Sequence, residues 1–287
     1  MELKQVIGRR RSMRYLRPYK PVERDKIQKM LEAARLASFW GNVQALGAVV
    51  IERATAPPEV LAALPAGTAI GGFQLRMAPA VIAWTLDWER VARQGERLHE
   101  LAEAGAVGVD PDKTHAYLDS TLIPFFQAAV EGIRQNGLTE LDCGQGIAQA
   151  TLVAYEEGLG TCLIGIPNER KLRRALALPD GVKVLVLQTV GYPAEDPDAG
   201  GQRPRLPFAE RFSLNRWGEP FPRERDVVAE LEAAGMLQAP APLPHRRAEL
   251  RWLQEQYGLG EIFGDEVPKI LEELMAGDGA AGAEAAP

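Results

Sequence analysis

The chain contains three short apolar runs, which are separated by longer segments with helical periodicity. The runs lie at residues 47–52, 78–86 and 183–190. Runs of this length without regular polar residues are typical of strands that are buried on both faces. In residues 21–37, by contrast, Ile27, Met30 and Ala34 recur at the spacing of one helix face. This arrangement predicts an α+β fold in which a few buried strands lie between helices.

Charge is distributed unevenly along the chain. The net charge of −6 argues against a nucleic acid or an anionic membrane as the partner of the whole surface. Basic residues are concentrated instead at residues 9–17 and 203–211. The N-terminus is charged and lacks the apolar core of a signal peptide, and no apolar run reaches the ~18 residues of a membrane span. We therefore predict a cytoplasmic protein that binds neither nucleic acid nor membrane.

Cysteine and histidine are too few to build the usual covalent or metal-bound frameworks. The two cysteines, Cys143 and Cys162, cannot form a disulfide framework and fit no common metal-binding spacing. The three histidines, His99, His115 and His245, are not paired at ligand spacing either. The sequence predicts no metal site, so any redox chemistry would come from a bound cofactor.

Several helices are expected outside the apolar runs. Residues 87–105 are predicted to form one charged surface helix. Residues 117–134 have a helical pattern that Pro124 divides into two pieces. Asp142 is a suitable N-cap for a buried helix over residues 143–157.

The chain changes character after Trp217. Helices are predicted in this part at residues 224–235, 245–257 and 266–275. The Gly/Ala-rich residues 276–287 are predicted to be disordered. We accordingly divide the chain into a main domain at residues 1–217 and a helical extension at residues 218–275. The extension is expected to embrace a partner subunit or to cover the mouth of a pocket.

Two basic segments have the composition of a phosphate site. The first is Arg10-Arg-Ser-Met-Arg14, where guanidinium groups offer paired donors and Ser12 adds a hydroxyl. In the second, Arg203 and Arg205 are two positions apart, which puts both on one side of an extended segment. The alternative for such an isolated cluster is a solvated basic turn.

A glycine-rich stretch at residues 158–166 follows the buried helix. Gly158 and Gly160 are expected to turn the backbone with positive φ. Gly165 has no side chain, so a flat ligand can approach its backbone N–H. The alternative is a helix C-cap followed by a buried strand.

A turn at residues 37–44 ends the first long helix. Asn42 and Gln44 carry amide donors and acceptors there. Phe39 and Trp40 form an apolar wall for a ring, or else they belong to the core. The same two alternatives apply to three later aromatic residues, Tyr117, Phe125 and Phe126.

Taken together, these pieces resemble the nitroreductase family of FMN-dependent oxidoreductases. The resemblance rests on the first arginine segment, Ser38–Gln44, the glycine-rich stretch and Arg203-Pro-Arg-Leu-Pro207. It covers about residues 4–217 and leaves out the C-terminal part. The resemblance implies a mixed, mostly antiparallel sheet wrapped by helices. It also implies a homodimer whose flavin sites lie at the subunit interface.

The resemblance implies roles for individual residues. The FMN phosphate would be bound by Arg10, Arg11, Ser12, Arg203 and Arg205. Arg14 would stabilise the negative charge of the reduced flavin, and the Gly165 N–H would face flavin N5. The flavin ring would pack along Leu163, Ile164 and Ile166. Ser38 and Asn42 would reach the flavin of the partner subunit.

The implied reaction is an electron transfer in two halves. NAD(P)H would reduce bound FMN, and a nitroaromatic, a quinone or a similar small acceptor would then take the electrons, which gives ping-pong kinetics. Hydride transfer at flavin N5 needs no side-chain acid or base, so no catalytic residue is predicted. The alternatives are a specialised member (a reductive dehalogenase, a flavin-fragmenting enzyme or an azoline oxidase) and a non-catalytic flavin-binding module.

Departures from the family pattern concern the acceptor more than the cofactor. The family often has Pro-Ser before the Asn of the turn and Pro-Trp after its Gln. This chain has Ser38-Phe-Trp-Gly-Asn42 and Gln44-Ala-Leu46 instead. The bulky side chains of Phe39 and Trp40 in this turn would narrow the pocket over the flavin or point into the core. Gln74 is the candidate for the family's polar contact in the middle region.

Overall fold

Four β-strands in the described part of the chain form one antiparallel sheet. The computed structural model describes residues 1–68, 72–166, 168–198, 201–240 and 244–257. The strands are β1 (Leu46–Glu52), β2 (Ala80–Asp87), β3 (Gly160–Ile164) and β4 (Val182–Gly191). Their order across the sheet is β1-β2-β4-β3, and every neighbouring pair is antiparallel. The predicted α+β class and the three apolar strands are confirmed, and the glycine-rich stretch supplies the fourth strand.

Helices surround this sheet. In chain order the α-helices are α1 (Leu3–Arg9), α2 (Arg24–Arg35), α3 (Pro58–Ala63), α4 (Gly72–Met77), α5 (Trp88–Ala92), α6 (Gln94–Glu103), α7 (Pro111–Tyr117), α8 (Ile123–Asn136), α9 (Leu138–Glu156), α10 (Arg170–Ala175), α11 (Phe208–Arg211), α12 (Arg225–Ala233) and α13 (Arg246–Tyr257). Short 3-10 turns lie at Trp40–Asn42 and Pro65–Gly67, and one π-helical turn lies at Leu118–Leu122. Within the described ranges, none of the helices has the length and apolar content needed to cross a bilayer.

Both faces of the inner strand β2 are buried, which explains its uninterrupted apolar run. In β2, Val81 and Ala83 belong to one core cluster, whereas Ile82 and Trp84 belong to a second cluster on the other face. Because successive strand residues point to opposite faces, a strand covered on both sides has no polar position to offer.

The long helix α9 packs closely on α2. A Cβ added at Gly146 would lie 2.9 Å from the Ala34 carbonyl oxygen and 2.6 Å from a methyl of Leu46. The small residues that make this helix apolar nearly all round therefore allow the two backbones to approach. This close contact fixes α9 across one face of the sheet.

Asp142 does not cap α9, so this prediction was wrong. The helix begins at Leu138, where the Asn136 side chain accepts a hydrogen bond from the Leu138 N–H at 2.9 Å. Asp142 lies one turn inside the helix, and its carboxylate accepts the backbone N–H of Trp40 at 2.7 Å. The Asp142 side chain therefore makes a tertiary contact with the turn at Trp40 and does not cap the helix.

The remaining helix predictions were accurate in kind and partly wrong in extent. Residues 87–105 form two helices, α5 and α6, because the helical conformation is interrupted at Arg93. Pro124 lies in the first turn of α8, as expected of a residue that lacks an N–H. The helices α12 and α13 match predicted C-terminal helices. The predicted helix at 266–275 and the predicted disorder at 276–287 lie outside the described residues.

Candidate functional site

A small pocket brings the two basic segments together. Its volume is about 310 Å³. It is lined by Ile7, Gly8, Arg10, Arg11, Ser12, Arg14, Gln202, Arg203 and Arg205. Five of these residues are arginines, and none of the described lining residues carries a carboxylate. The fold therefore joins two segments that are about 190 positions apart into one strongly basic site.

The first basic segment is placed by the edge strand of the sheet. After α1 ends at Arg9, Ser12 forms a parallel bridge to Thr161 of β3. The Met13 N–H donates to the Thr161 carbonyl at 2.8 Å. Met13 is 3% exposed and anchors the segment in the core, which leaves Ser12 and Arg14 on the pocket side.

No acidic side chain stands among the described lining residues of this pocket to balance its arginines. Burial, followed by the charges of Arg205 and Arg11, lowers the pKa of Arg10 below its usual range. Burial also lowers the pKa of Arg203, and the charges of Arg14 and Arg11 add to this effect. Partly buried cations that repel one another are a costly arrangement unless an anion binds. The arrangement thus favours a phosphate or another compact anion.

Arg11 is held by the protein more firmly than the sequence predicted. Its side chain is only 4% exposed, and its Nε donates to the Gly201 carbonyl at 2.6 Å. Its other nitrogens donate to the Arg9 carbonyl and, at 3.4 Å, to Gln238 Oε1. Arg11 therefore builds the pocket wall and has few donors left for a ligand.

Glu195, which the sequence analysis missed, fixes the backbone beside the pocket. This residue is 6% exposed. Its Oε1 accepts the N–H groups of Arg14 at 2.5 Å and Tyr15 at 3.1 Å. Its Oε2 accepts from Arg246 of α13, which also donates to Glu249 at 2.6 Å. A single acidic residue after a strand end carries no sequence signal for this role.

A larger cavity of about 650 Å³ lies on the other side of this cluster. Tyr155, Tyr192 and Glu249 contribute to its lining. Two of its carboxylates, the buried Glu195 and the half-buried Glu249, are paired with Arg246. The smaller arginine pocket is the candidate site because five arginines line it and no carboxylate is among its described lining residues.

The glycine-rich stretch combines a correct and a wrong prediction. Gly158 has φ 77° and ends α9, as expected. Gly160 lies in β3 without positive φ, so that prediction was wrong. Glycine is required at this position for another reason, since an added Cβ would lie 2.7 Å from the Met13 Cβ. At Gly165 an added Cβ meets nothing within 4 Å, so its backbone is open to a ligand.

The side chains beside Gly165 point in different directions. Leu163 is 47% exposed and lies on the open side. Ile164 is 5% exposed and packs in the core, so its side chain does not face a ring outside the sheet, contrary to the prediction. Ile166 is partly buried against the same core cluster. Leu163 is therefore the side chain here that is available to a ligand.

The turn at Ser38–Gln44 lies at the opposite end of α9 from the arginine pocket. Trp40 contacts Asp142 near the start of α9, whereas Glu156 at its end binds the N-terminal ammonium beside α1 at 3.2 Å. At 1.5 Å per residue, these two ends are about 20 Å apart. One chain therefore does not bring Ser38 and Asn42 to its own arginine pocket.

The backbone of this turn is strained. Gly41, Asn42 and Gln44 have φ values of 52°, 53° and 49°. Left-handed conformations at non-glycine residues cost of order 1 kcal/mol each. The surrounding contacts, among them the hydrogen bond from the Trp40 N–H to Asp142, hold the turn in this conformation.

The predicted aromatic residues form a partial cluster. The rings of Trp40 and Phe126 are 5.4 Å apart, and those of Phe125 and Phe126 are 5.6 Å apart. Trp40 also donates to Thr139 at 3.1 Å and packs against the core, which supports the core alternative for this residue. Tyr117 and Phe125 are 56% and 63% exposed. Phe39 is partly buried beside the same core cluster.

Gln74 is buried in α4. It is 4% exposed, and its Oε1 has no hydrogen-bond partner among the described residues. An unpaired buried carbonyl oxygen costs about 1–3 kcal/mol. The structure does not bring Gln74 into the lining of the arginine pocket.

Comparisons with known proteins agree with this architecture. The family model described as "Nitroreductase family" matches residues 7–192. No curated protein matches the chain at a significant level. Among solved structures, a nitroreductase-like protein from Streptococcus mutans is similar, with a TM-score of 0.60 and 21% identity over 74% of this chain and 97% of that one.

Two further structures extend the comparison. A candidate NAD(P)H:FMN oxidoreductase from Staphylococcus epidermidis has a TM-score of 0.61 and 18% identity, over 74% of this chain and 95% of that one. A candidate nitroreductase from Exiguobacterium sibiricum, solved in complex with FMN, has a TM-score of 0.55 and 21% identity, over 75% of this chain and 98% of that one. At these identities the likeness establishes the fold.

Proposed function

Because this chain belongs to the nitroreductase family, we propose that it is an FMN-dependent oxidoreductase that takes electrons from NAD(P)H. The observation that carries this proposal is the arginine pocket, in which five guanidinium groups surround a small cavity without a carboxylate among the described lining residues. A phosphate is the ligand group that best matches such a donor set.

The pocket residues divide the binding of FMN between them. Arg10, Arg203 and Arg205 would hold the phosphate, and Ser12 would add a hydroxyl donor. Arg14 would place positive charge beside the ring system and stabilise its reduced, anionic form. Arg11 would keep the wall of the pocket in place. When bound, FMN would supply the electron-transfer chemistry, for which no side-chain acid or base is required.

The open end of β3 would receive the ring of the cofactor. The Gly165 backbone is free of neighbours on the side where a Cβ would lie, which leaves room for a flat ring against it. The exposed Leu163 offers an apolar contact two residues earlier. Ile164 would contribute only through its backbone, because its side chain is in the core.

A homodimer with shared sites would explain the position of Ser38 and Asn42. Since these residues lie near the start of α9, at the opposite end of this helix from the arginine pocket of their own chain, we propose that they serve the flavin of the partner subunit. Phe39, Tyr117, Phe125 and the Trp40–Phe126 pair would then border the space for a small acceptor. The cytoplasmic location remains a prediction from the sequence.

We further propose that residues 1–217 are the flavin-binding domain and that residues 218–275 support it. In support, Gln238 contacts Arg11, and Arg246 binds Glu195 beneath the arginine segment. Leu253 of α13 is fully buried against Tyr15. Truncation at Trp217 is therefore expected to lower both stability and flavin affinity. A truncated protein with unchanged stability and affinity would contradict this role.

Electrons would pass to the acceptor in a second half-reaction. We propose a nitroaromatic, a quinone or a similar small molecule, and ping-pong kinetics because donor and acceptor would use the same face in turn. A specialised reaction or a purely binding role would differ in one respect, which is the rate at which NADH or NADPH bleaches the bound flavin.

The test begins with the visible spectrum of the purified protein, followed by titration with FMN and anaerobic addition of NADH and NADPH. The double variant Arg10→Met, Arg205→Met is compared with Arg9→Met, which removes an exposed neighbouring arginine. We expect flavin bands that bleach in the wild type and in Arg9→Met, and weak FMN binding in the double variant. A colourless protein that does not take up FMN would overturn the proposal.

A further inference from the structure

Two histidines that lie far apart in sequence meet in the helical region after β2. His99 is on α6 and His115 is on α7, and their Nδ1 atoms are 2.6 Å apart. His99 Nε2 is 2.9 Å from Oδ1 of Asp119, which lies in the π-helical turn. These three residues form a continuous hydrogen-bonded chain across three elements.

The geometry shows that the two rings meet edge to edge. The ring centroids are 4.9 Å apart and the planes differ by 20°. This separation equals the Nδ1···Nδ1 distance of 2.6 Å plus one ring radius at each end. The two nitrogens therefore lie between the ring centres, which is the arrangement of an N–H···N hydrogen bond and not of face-to-face stacking.

The carboxylate of Asp119 determines where the protons lie. A carboxylate only accepts, so His99 Nε2 carries the proton and donates it. Neutral His99 then has a bare Nδ1, which accepts from the Nδ1–H of His115. The remaining nitrogen of His115 is also bare and can take one proton without breaking either hydrogen bond.

A second added proton breaks the chain. It must go to His99 Nδ1, which is the acceptor of the N–H···N bond. The bond is then lost, and two imidazolium rings face each other at contact distance. The closed arrangement thus holds at most one added proton, whereas two separated histidines can each hold one.

The helices α6 and α7 and the π-helical turn, which the His99–His115–Asp119 hydrogen bonds join, have a small core of their own. Leu98, Ala102 and Leu118 are buried there, and Phe126 packs against them. This cluster is separate from the two clusters on the faces of the sheet. A unit with few buried contacts can open locally while the rest of the protein stays folded.

No other charged residue on the described packed elements takes the place of Asp119 as the hydrogen-bond acceptor of a histidine ring. The packed elements carry these charged residues: Glu89 and Arg90 on α5; Glu96, Arg97, Glu100 and Glu103 on α6; Asp112 and Lys113 on α7; Asp119 on the π-helical turn; and Glu131 and Arg134 on α8. Arg97 binds Glu100 at 2.9 Å, and Lys113 binds Asp110 at 3.3 Å. Of all these groups in the described part of the chain, Asp119 alone is hydrogen-bonded to a histidine ring. The turn at Trp40–Asn42 adds no charge.

We propose that His99, His115 and Asp119 form a pH-operated latch that holds residues 111–122 against α6 and releases them when both histidines are protonated. The open arrangement can hold one more proton than the closed one, so acid favours opening. Because Phe126 links the small core to Trp40, release would loosen the aromatic wall of the proposed acceptor space. The latch itself does not depend on the flavin assignment.

The first test is hydrogen exchange of the backbone amides of residues 111–122 in the full-length protein, treated with a chelator. Rates are compared at about pH 7.5 and about pH 5.5, on either side of the free-histidine range, after correction for intrinsic exchange. We expect protection to fall about fivefold or more in acid, which corresponds to the loss of one hydrogen bond. Equal protection at both pH values would overturn the latch.

Two variants assign the effect to the pair. His115→Gln removes one titrating ring, so the pH dependence should disappear. His245→Gln is the matched control, since His245 is exposed and is the third histidine of the chain. The pH dependence should be retained in this control. The proposal fails if His115→Gln keeps the wild-type pH dependence or if His245→Gln loses it.

A measurement on the wild type keeps the test independent of variant folding. The nitrogen NMR spectrum of the imidazoles at neutral pH should show one protonated and one bare Nδ1 for His99 and His115. The same spectrum in acid should show all four ring nitrogens protonated, together with the loss of amide protection. Independent titration of the two rings, without a change in protection, would contradict the proposal.

Discussion

Two arginine-containing clusters lie side by side in this protein, and they differ in charge balance. In the arginine pocket, Arg10 and its neighbours have no carboxylate among the described lining residues. In the adjacent cluster, Arg246 is paired with both Glu195 and Glu249. In the Arg246 cluster the charges balance one another, whereas the lining of the arginine pocket contributes arginines and no carboxylate. We infer that charge balance, and not the number of arginines, separates the proposed binding site from a structural contact.

Breaking the paired cluster should have the largest effect on stability. Arg246→Met leaves Glu195 buried without its cation, and we expect the free energy of unfolding to fall by about 3 kcal/mol. Arg247→Met is the control, because that neighbouring side chain is exposed and should change stability by less than about 0.5 kcal/mol. Urea-induced unfolding measures both. Equal free energies of unfolding for the two variants would contradict a structural role of the Arg246 cluster.

The arginine pocket should respond in the opposite way. Arg10→Met removes one of several repelling cations, so the ligand-free protein should be as stable as the wild type or slightly more stable. FMN affinity should fall about 10- to 100-fold, as for the loss of a hydrogen bond to a charged group. Flavin fluorescence and thermal unfolding provide the two measurements. A loss of stability as large as that of Arg246→Met would mean that Arg10 is structural.

Adding one methyl group at either end of β3 should separate a structural glycine from a ligand-binding one. Gly160 begins the strand and Gly165 directly follows it. Gly160→Ala would press against Met13, and we expect a loss of about 1–3 kcal/mol from overpacking. Gly165→Ala points into open space and should change the stability of the ligand-free protein by less than about 0.5 kcal/mol. Only Gly165→Ala should weaken FMN binding without a change in stability. Unchanged FMN affinity in this variant would remove Gly165 from the proposed site.

A smaller effect is expected at alkaline pH. Burial raises the pKa of the Cys143 thiol from 9.0 to about 12, so the folded protein holds a proton that the unfolded chain releases. The stabilising contribution is present below about pH 9 and declines as the pH rises toward 12. We expect a loss of about 1 kcal/mol between pH 8 and pH 10. Cys143→Ala should reduce this pH dependence, and an unchanged slope would contradict the assignment.

Features with a local sequence signal could be predicted. The strands follow from uninterrupted apolar runs, and the pairing of the two basic segments in one pocket agrees with a phosphate site. Gly158 ends its helix because glycine adopts positive φ without strain. Each of these predictions depends on residues that are close in sequence or on a local concentration of one residue type, such as the arginines of the two basic segments.

Features that depend on tertiary partners could not be predicted. Asp142 looks like an N-cap, but its carboxylate is used by the Trp40 N–H of a distant turn. Glu195 gives no signal until the fold brings Arg246 and the Arg14 backbone to it. The pair His99 and His115 is 16 positions apart on separate helices, so no spacing rule reveals it.

The contact between the arginine segment and β3 has a consequence for the solubility of the protein. β3 is the last strand in the sheet order, and the bridge from Ser12 to Thr161 covers part of its outer edge. An uncovered strand edge is a template on which other chains can assemble. On the proposed function, the FMN phosphate bound by the arginines would hold this segment against the strand edge. We therefore expect a shortage of the cofactor to appear first as aggregation, before any loss of the fold.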